Sequence, residues 1–180
     1  MADVDLTVWV PIIATWILVV GTLAFAYWQL RQNQRLHSTS TLLDLRDRFY
    51  GQRMRLARKT LGTWLLRTDR GEEPANWEVG LFFELIGSLT RDRNIDRRLV
   101  RKAFGTWITG YYTFITQPVN LIEEWRKESN DPLIFADFEW LAKWIIERER
   151  RLAPGGDFER SLIEDARYVL EAESQLDVAP

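Results

Sequence analysis

Residues 6–30 read LTVWVPIIATWILVVGTLAFAYWQL, twenty-five residues without a charged side chain. No other stretch restricts the chain so strongly. At ~1.5 Å rise per helical residue, the apolar centre over residues 8–28 is about 31 Å long, the thickness of a bilayer's hydrocarbon core. The expectation is one transmembrane helix over 8–28. Trp9 near one end and Tyr27 with Trp28 near the other lie roughly 27 Å apart along such a helix, which puts aromatic rings at both interfaces. Pro11 falls in the first turn, where its missing amide donor would have had no intrahelical partner. Two alternatives stay open. Ala24-Phe25-Ala26 has the small-x-small form of a signal-peptide cleavage site, although the segment before the apolar run holds Asp3 and Asp5 and no basic residue. A fully buried helix in a soluble protein would need a larger interior than a chain of this size builds.

Charge gives the expected orientation. Asp3 and Asp5 precede the span, and residues 31–59 carry eight basic side chains against Asp44 and Asp47. Residues 60–180 carry sixteen basic and twenty-two acidic side chains. Lys and Arg are retained on the cytoplasmic side, so a span in a bacterial inner membrane would leave the N-terminus outside and the domain after it in the cytoplasm. Attraction to anionic head groups fades within a Debye length, which leaves Arg31 and Arg35 as the basic interface anchors beside Trp9, Tyr27 and Trp28.

Beyond the span the pattern is helical. Leu42, Leu45 and Phe49 recur at helical spacing up to Gly51, and Met54, Ala57, Leu61 and Leu65 form a stripe with the arginines expected opposite. Residues 68–74 are a loop on composition. Trp77, Leu81, Phe82, Leu85, Ile86 and Leu89 predict a central helix, and Asp96 is a good N-cap for a helix running to Pro118. Val119, Ile122 and Trp125 mark a short helix. Asp131-Pro132 reads as the start of a helix to about Arg151, and Phe158, Leu162, Ala166 and Val169 mark a last one. No alternating run is long enough for a strand. The expected fold is therefore all-α: an N-terminal transmembrane helix continuing into a cytoplasmic helical bundle. The segments are 1–7 outside, 8–28 in the membrane, 29–50 a juxtamembrane helical extension, 51–153 the bundle and 154–180 a peripheral helix and tail.

Chemistry is sparse. There is no cysteine and one histidine, His37, so thiolate sites and clusters of imidazoles are excluded. No phosphate-binding glycine loop, zinc-protease helix or nucleophile elbow occurs. No catalytic, cofactor-binding or metal-ligating set is expected, and no cofactor. The arginines of 46–59 lie on all sides of their helices and no nucleic-acid module accompanies them, so nucleic acid is not an expected partner. Two carboxylates, Glu84 in FFELI and Glu139 in FEWL, sit inside apolar strings and must face water or find a partner, Arg98 and Arg101 being the cations at hand. The 23 aromatic residues fill a core on the plain reading. The functional alternative is a ring-lined groove from Trp107, Tyr111, Tyr112 and Trp125, with Glu84 and Glu139.

The stretches FFELIGSL (82–89), NID (94–96) and PLIFADFEWL (132–141), with Phe104, Ile108, Trp125 and Arg126, resemble a bacterial family of single-span proteins known as a domain of unknown function. The span running into Gln29-Leu30-Arg31-Gln32-Asn33 is similar as well, and the likeness covers roughly residues 10–148. It implies an anchored helical domain and supplies no activity or site residues. The expected role is a non-enzymatic docking, scaffold or regulatory module on the cytoplasmic face of the membrane, bound to the bilayer and to a protein partner or itself. Two alternatives remain: an enzyme or sensor for a lipid or other amphipathic ligand built on Glu84 and Glu139, or an accessory subunit of a larger membrane complex.

Overall fold

The computed structural model describes residues 22–23, 25–29, 38–67, 77–153 and 157–177. The chain divides into two compact units, Met1–Ser40 and Thr41–Pro180. All regular structure among the described residues is helical.

Of the first unit, residues 22–23 and 25–29 are helical. Leu23, Phe25, Tyr27 and Trp28 are each more than half exposed, and the rings of Phe25 and Trp28 stack with centroids 5.9 Å apart. No helix among the described residues is long and apolar enough to cross a membrane. Most of the expected span over 8–28 lies outside the described residues, as do Trp9, Arg31, Arg35 and His37.

The second unit is a bundle of helices. Helix α1 covers residues 38–50, of which 41–50 belong to this unit, followed by α2 (Gln52–Leu66), α3 (Glu78–Arg91), α4 (Arg97–Thr116), α5 (Leu121–Ser129), α6 (Ala136–Leu152) and α7 (Phe158–Ser174). The twenty-residue α4 lies at the centre, packed against α6 and α7 and touching α2, α3 and α5. Its N-terminus is fixed as the sequence suggests: the Asp96 carboxylate accepts from the Arg98 amide at 2.6 Å. Asn120 does the same for α5, accepting from the Glu123 amide.

Phe49 of α1 is fully buried at the meeting point of the Phe82, Phe83, Phe104 and Trp107 rings, with centroids 5.3–5.9 Å away. A second string runs from Phe83 to Phe138 and on to Tyr112. Residues 41–50 thus supply core rather than only an extension, and the unit begins at Thr41 instead of residue 51. The last helix is also more than peripheral: Ala166, Val169 and Leu170 of α7 are buried against α2 and α4.

Three further differences from the periodicity reading have physical causes. On α3 the buried side chains are Val79, Phe82, Phe83 and Ile86, whereas Leu81 and Leu85 are 60% and 44% exposed, because α6 and α4 cover only part of an over-wide apolar face. On α2 the arginines do not all face water, for Arg58 is buried beside Leu61. The helix expected at Asp131-Pro132 starts at Ala136 instead. Asp131 accepts from the Leu133 amide, and Phe135 takes a left-handed φ of 53° before α6 begins. Such a backbone costs a residue with a β-carbon roughly 1–2 kcal/mol, offset here by its ring packing on Trp125 and Gly80.

Helix α3 meets the first turn of α6 at Gly87, where an added β-carbon would lie 2.4 Å from the Asp137 carbonyl oxygen. The neighbour is backbone and cannot swing aside. Gly87→Ala should therefore force the two helices apart and cost about 1–3 kcal/mol, despite the higher helix propensity of alanine. Urea unfolding followed by tryptophan fluorescence checks this, and an unchanged midpoint refutes it.

Candidate functional site

Glu84 projects from α3 at the start of α6. Its carboxylate oxygens accept from the amides of Asp137 at 3.2 Å and Phe138 at 2.7 Å. These are orphan donors of a helix whose own N-cap residue, Phe135, supplies no side-chain acceptor. A negative group at a helix N-terminus is favoured by the helix dipole as well. Glu84 is a cap delivered from another helix.

Glu139, one turn into α6, is held differently. Its Oε2 lies 2.8 Å from Arg126 Nη2 and its Oε1 2.7 Å from Lys143 Nζ. Burial pushes its pKa up, but the hydrogen bonds and charges of Lys143 and Arg126 outweigh that and hold the carboxyl below its ordinary value. Arg126 also donates to the Ile134 carbonyl at 3.0 Å, which ties α5 to the turn before α6. Of the cations expected beside these acids, Arg101 pairs with Glu149 instead. Glu84 and Glu139 thus have different partners, and both act at the N-terminal end of α6.

The four rings expected to line a groove fall into two pairs. Tyr111 is fully buried, with its hydroxyl donating to the Arg58 carbonyl at 3.3 Å. Trp107 packs edge-on against Phe49 and Tyr50. Trp125 meets Trp77 and Phe135. Tyr112 contacts Phe138 beside the Glu139 cluster. Trp107 and Tyr111 both reach the Arg58–Glu173 pair, while Tyr112 and Trp125 lie on the Phe135–Phe138 side, and all four pack in or against the core.

Sequence reasoning missed the most unusual polar cluster. Arg58 of α2 is 2% exposed and Glu173 of α7 is 5% exposed, with Nε and Oε2 3.1 Å apart. The contact is between charges and not a directed hydrogen bond, since neither atom makes one. Trp107 Nε1 donates to the other carboxylate oxygen at 2.8 Å. The guanidinium lies over the Phe49 ring, 4.1 Å from its centroid, and near Tyr50 at 5.6 Å. Burial raises the Glu173 carboxyl above its ordinary value, and the Arg58 charge and the Trp107 hydrogen bond only partly restore it. Burial likewise pushes the Tyr111 hydroxyl well up. Closure of this site depends on Gly62, where a β-carbon would lie 3.2 Å from Glu173 Cβ and 3.3 Å from the Leu170 carbonyl oxygen. Lys59 then donates to the Leu176 carbonyl at 2.9 Å, holding the end of α7. Nothing in a helical wheel separates Arg58 from its exposed neighbours; the only hint is its place one residue after Ala57 on the apolar stripe.

Chemically the arrangement fixes charge without freeing any. The described residues contain no group of acidic or histidine side chains that could hold a metal ion. What the fold defines is an all-α bundle whose embedded carboxylates cap and tie helices. The chain belongs to the family described as a domain of unknown function (DUF4760), whose profile matches residues 16–144. No curated protein and no solved structure matches it.

Two outcomes test these roles. Glu84→Ala leaves two amides at the start of α6 without their acceptor and should cost about 1–2 kcal/mol. Arg58→Met strands a buried carboxylate and should cost about 3–5 kcal/mol, more than Glu173→Gln, which keeps an acceptor for Trp107. Because the Glu173 pKa is raised in the folded state, its proton is bound more tightly there than in the unfolded chain. Its stabilising contribution is present at low pH and lost as pH rises through the folded value. The stability of wild type relative to Glu173→Gln should accordingly rise on acidification from pH 7 toward the unfolded carboxyl value of about 4.3. Urea midpoints across that range give the sign, and a fall of wild type relative to the variant refutes it.

Proposed function

We propose that this protein is a non-enzymatic, single-pass membrane protein whose helical bundle serves as a docking or scaffold module on the cytoplasmic face of the inner membrane. One observation carries the anchoring: residues 6–30 have no charge, and the described helical part of that stretch exposes Leu23, Phe25, Tyr27 and Trp28. Side chains of this kind are covered by lipid when the segment is in a bilayer. The excess of arginine after the segment favours the bundle on the cytoplasmic side. Trp9, Tyr27, Trp28, Arg31 and Arg35 are the interface anchors on this reading.

The docking role rests on how the polar groups are used. Glu84 and Glu139, the two carboxylates best placed in sequence for acid–base work, are committed to helix amides and to Arg126 and Lys143. A partner protein, or a second copy, is the occupant this reading requires; nucleic acid is not.

Expression of the full chain with a C-terminal reporter tests both parts. The chain should sediment with membranes, resist extraction by high salt and carbonate, and show a cytoplasmic reporter. Crosslinking in intact cells followed by purification in mild detergent should recover a complex. A chain that stays in the supernatant, or a periplasmic reporter, overturns the anchoring; recovery of monomer alone overturns the docking role.

A further inference from the structure

Helices α4 and α7 pack against each other in antiparallel fashion. Trp107 reaches Glu173, and at Gly110 an added β-carbon would meet Val169 at 3.4 Å. One turn further along α4 the packing gives way to a cleft of about 330 Å³, lined by Thr113, Phe114, Gln117, Pro118, Ile163 and Arg167. This volume falls in the range of small-molecule sites, roughly 300–1,000 Å³. Its walls are the Phe114 ring, Pro118 and the partly exposed Ile163. The Thr113 hydroxyl donates its hydrogen to the Thr109 carbonyl at 2.8 Å and so offers no donor to an occupant.

Charge around this cleft is uneven. A neighbouring cleft of about 370 Å³ shares Thr113 and Gln117 and carries Lys143 and Arg150. Both cations there are matched, Lys143 by Glu139 at 2.7 Å and Arg150 by Glu147 at 3.0 Å and by Glu159. Arg167 is different. Glu164 and Glu171 lie about a turn away on the same helix, yet the exposed Arg167 guanidinium makes no ion pair or side-chain hydrogen bond among the described residues. An apolar cleft with one unmatched guanidinium at its edge is complementary to a molecule with an apolar body and a single anionic head.

We propose that this cleft binds a small amphipathic anion, a medium-chain carboxylate or alkyl phosphate, with its chain between Phe114, Pro118 and Ile163 and its head on Arg167. The site is separate from Glu84 and Glu139, and does not depend on how the chain is anchored.

The full-length chain in nanodiscs of zwitterionic lipid, or in the soluble fraction if it does not insert, is photolabelled with a diazirine-bearing octanoic acid. Mass spectrometry then locates the label. It should fall on peptides containing Pro118 or Ile163, and octanoate or octyl phosphate should compete while acetate, inorganic phosphate and octanol do not. Arg167→Gln should weaken competition by octanoate about tenfold or more, the contribution of one charge-assisted hydrogen bond. Ile163→Asp should do the same, and Arg150→Gln should leave it unchanged. Both tested side chains are exposed, so circular dichroism of the variants should match the wild type; if Ile163→Asp fails to fold, Arg167→Gln still decides. Competition by octanol equal to octanoate, wild-type labelling of Arg167→Gln, loss of labelling in Arg150→Gln, label confined to residues 8–28, or crosslinks between two copies at Pro118 and Ile163 would each overturn the assignment.

Discussion

The second unit depends on a charge pair taken out of water. Arg58 and Glu173 come from helices far apart in the chain, and neither is stable in an apolar interior without the other. Their meeting requires α7 to lie along α2, which Gly62 permits, and requires α4 to bring Trp107 to the free carboxylate oxygen. Phe49 of α1 then closes over the guanidinium. Four helices are fixed by one electrostatic requirement. Such a pair contributes less to net stability than its Coulomb attraction suggests, because both groups lose hydration. Its effect is on specificity: arrangements that leave α7 elsewhere bury or expose one charge alone.

The start of α6 is held by capping and close backbone approach together with charge pairs. Helix α6 begins without a local cap, after a residue in a left-handed conformation. Glu84 supplies the acceptor, Gly87 allows the backbones to approach, and Arg91 pairs with Asp137 on the outer side. With α3 across the start of α6, one carboxylate serves two amides, and the Phe135 backbone is offset by contacts of its ring.

Much of the helical layout was legible in the sequence. Gly51 and Asp96 mark helix boundaries through local chemistry, whereas the Asn120 cap, found only in the structure, starts α5 two residues later than the apolar spacing from Val119 suggests. The start of α6 was not legible, because Asp131 caps a turn and the true cap comes from another helix. The candidate site fared the same way. Glu84 and Glu139 stand out in sequence as acids among apolar residues, but whether such an acid reacts, ionises or caps depends on what faces it. The same limit explains Arg58, whose neighbours in sequence give no sign that Glu173 will lie beside it.

The sequence alone determined that the chain is helical, that its first thirty residues are of a different chemical kind from the rest, and where most of the bundle's helices begin and end. These follow from periodicity, composition and local hydrogen bonding, all of which act over a few residues. Tertiary structure decided which apolar face of α3 is covered, that α1 and α7 belong to the core, and that the embedded charges serve as caps and ties. Those outcomes turn on partners distant in the chain. The cost of a buried charge or an unpaired amide is settled only by the group that packing brings against it.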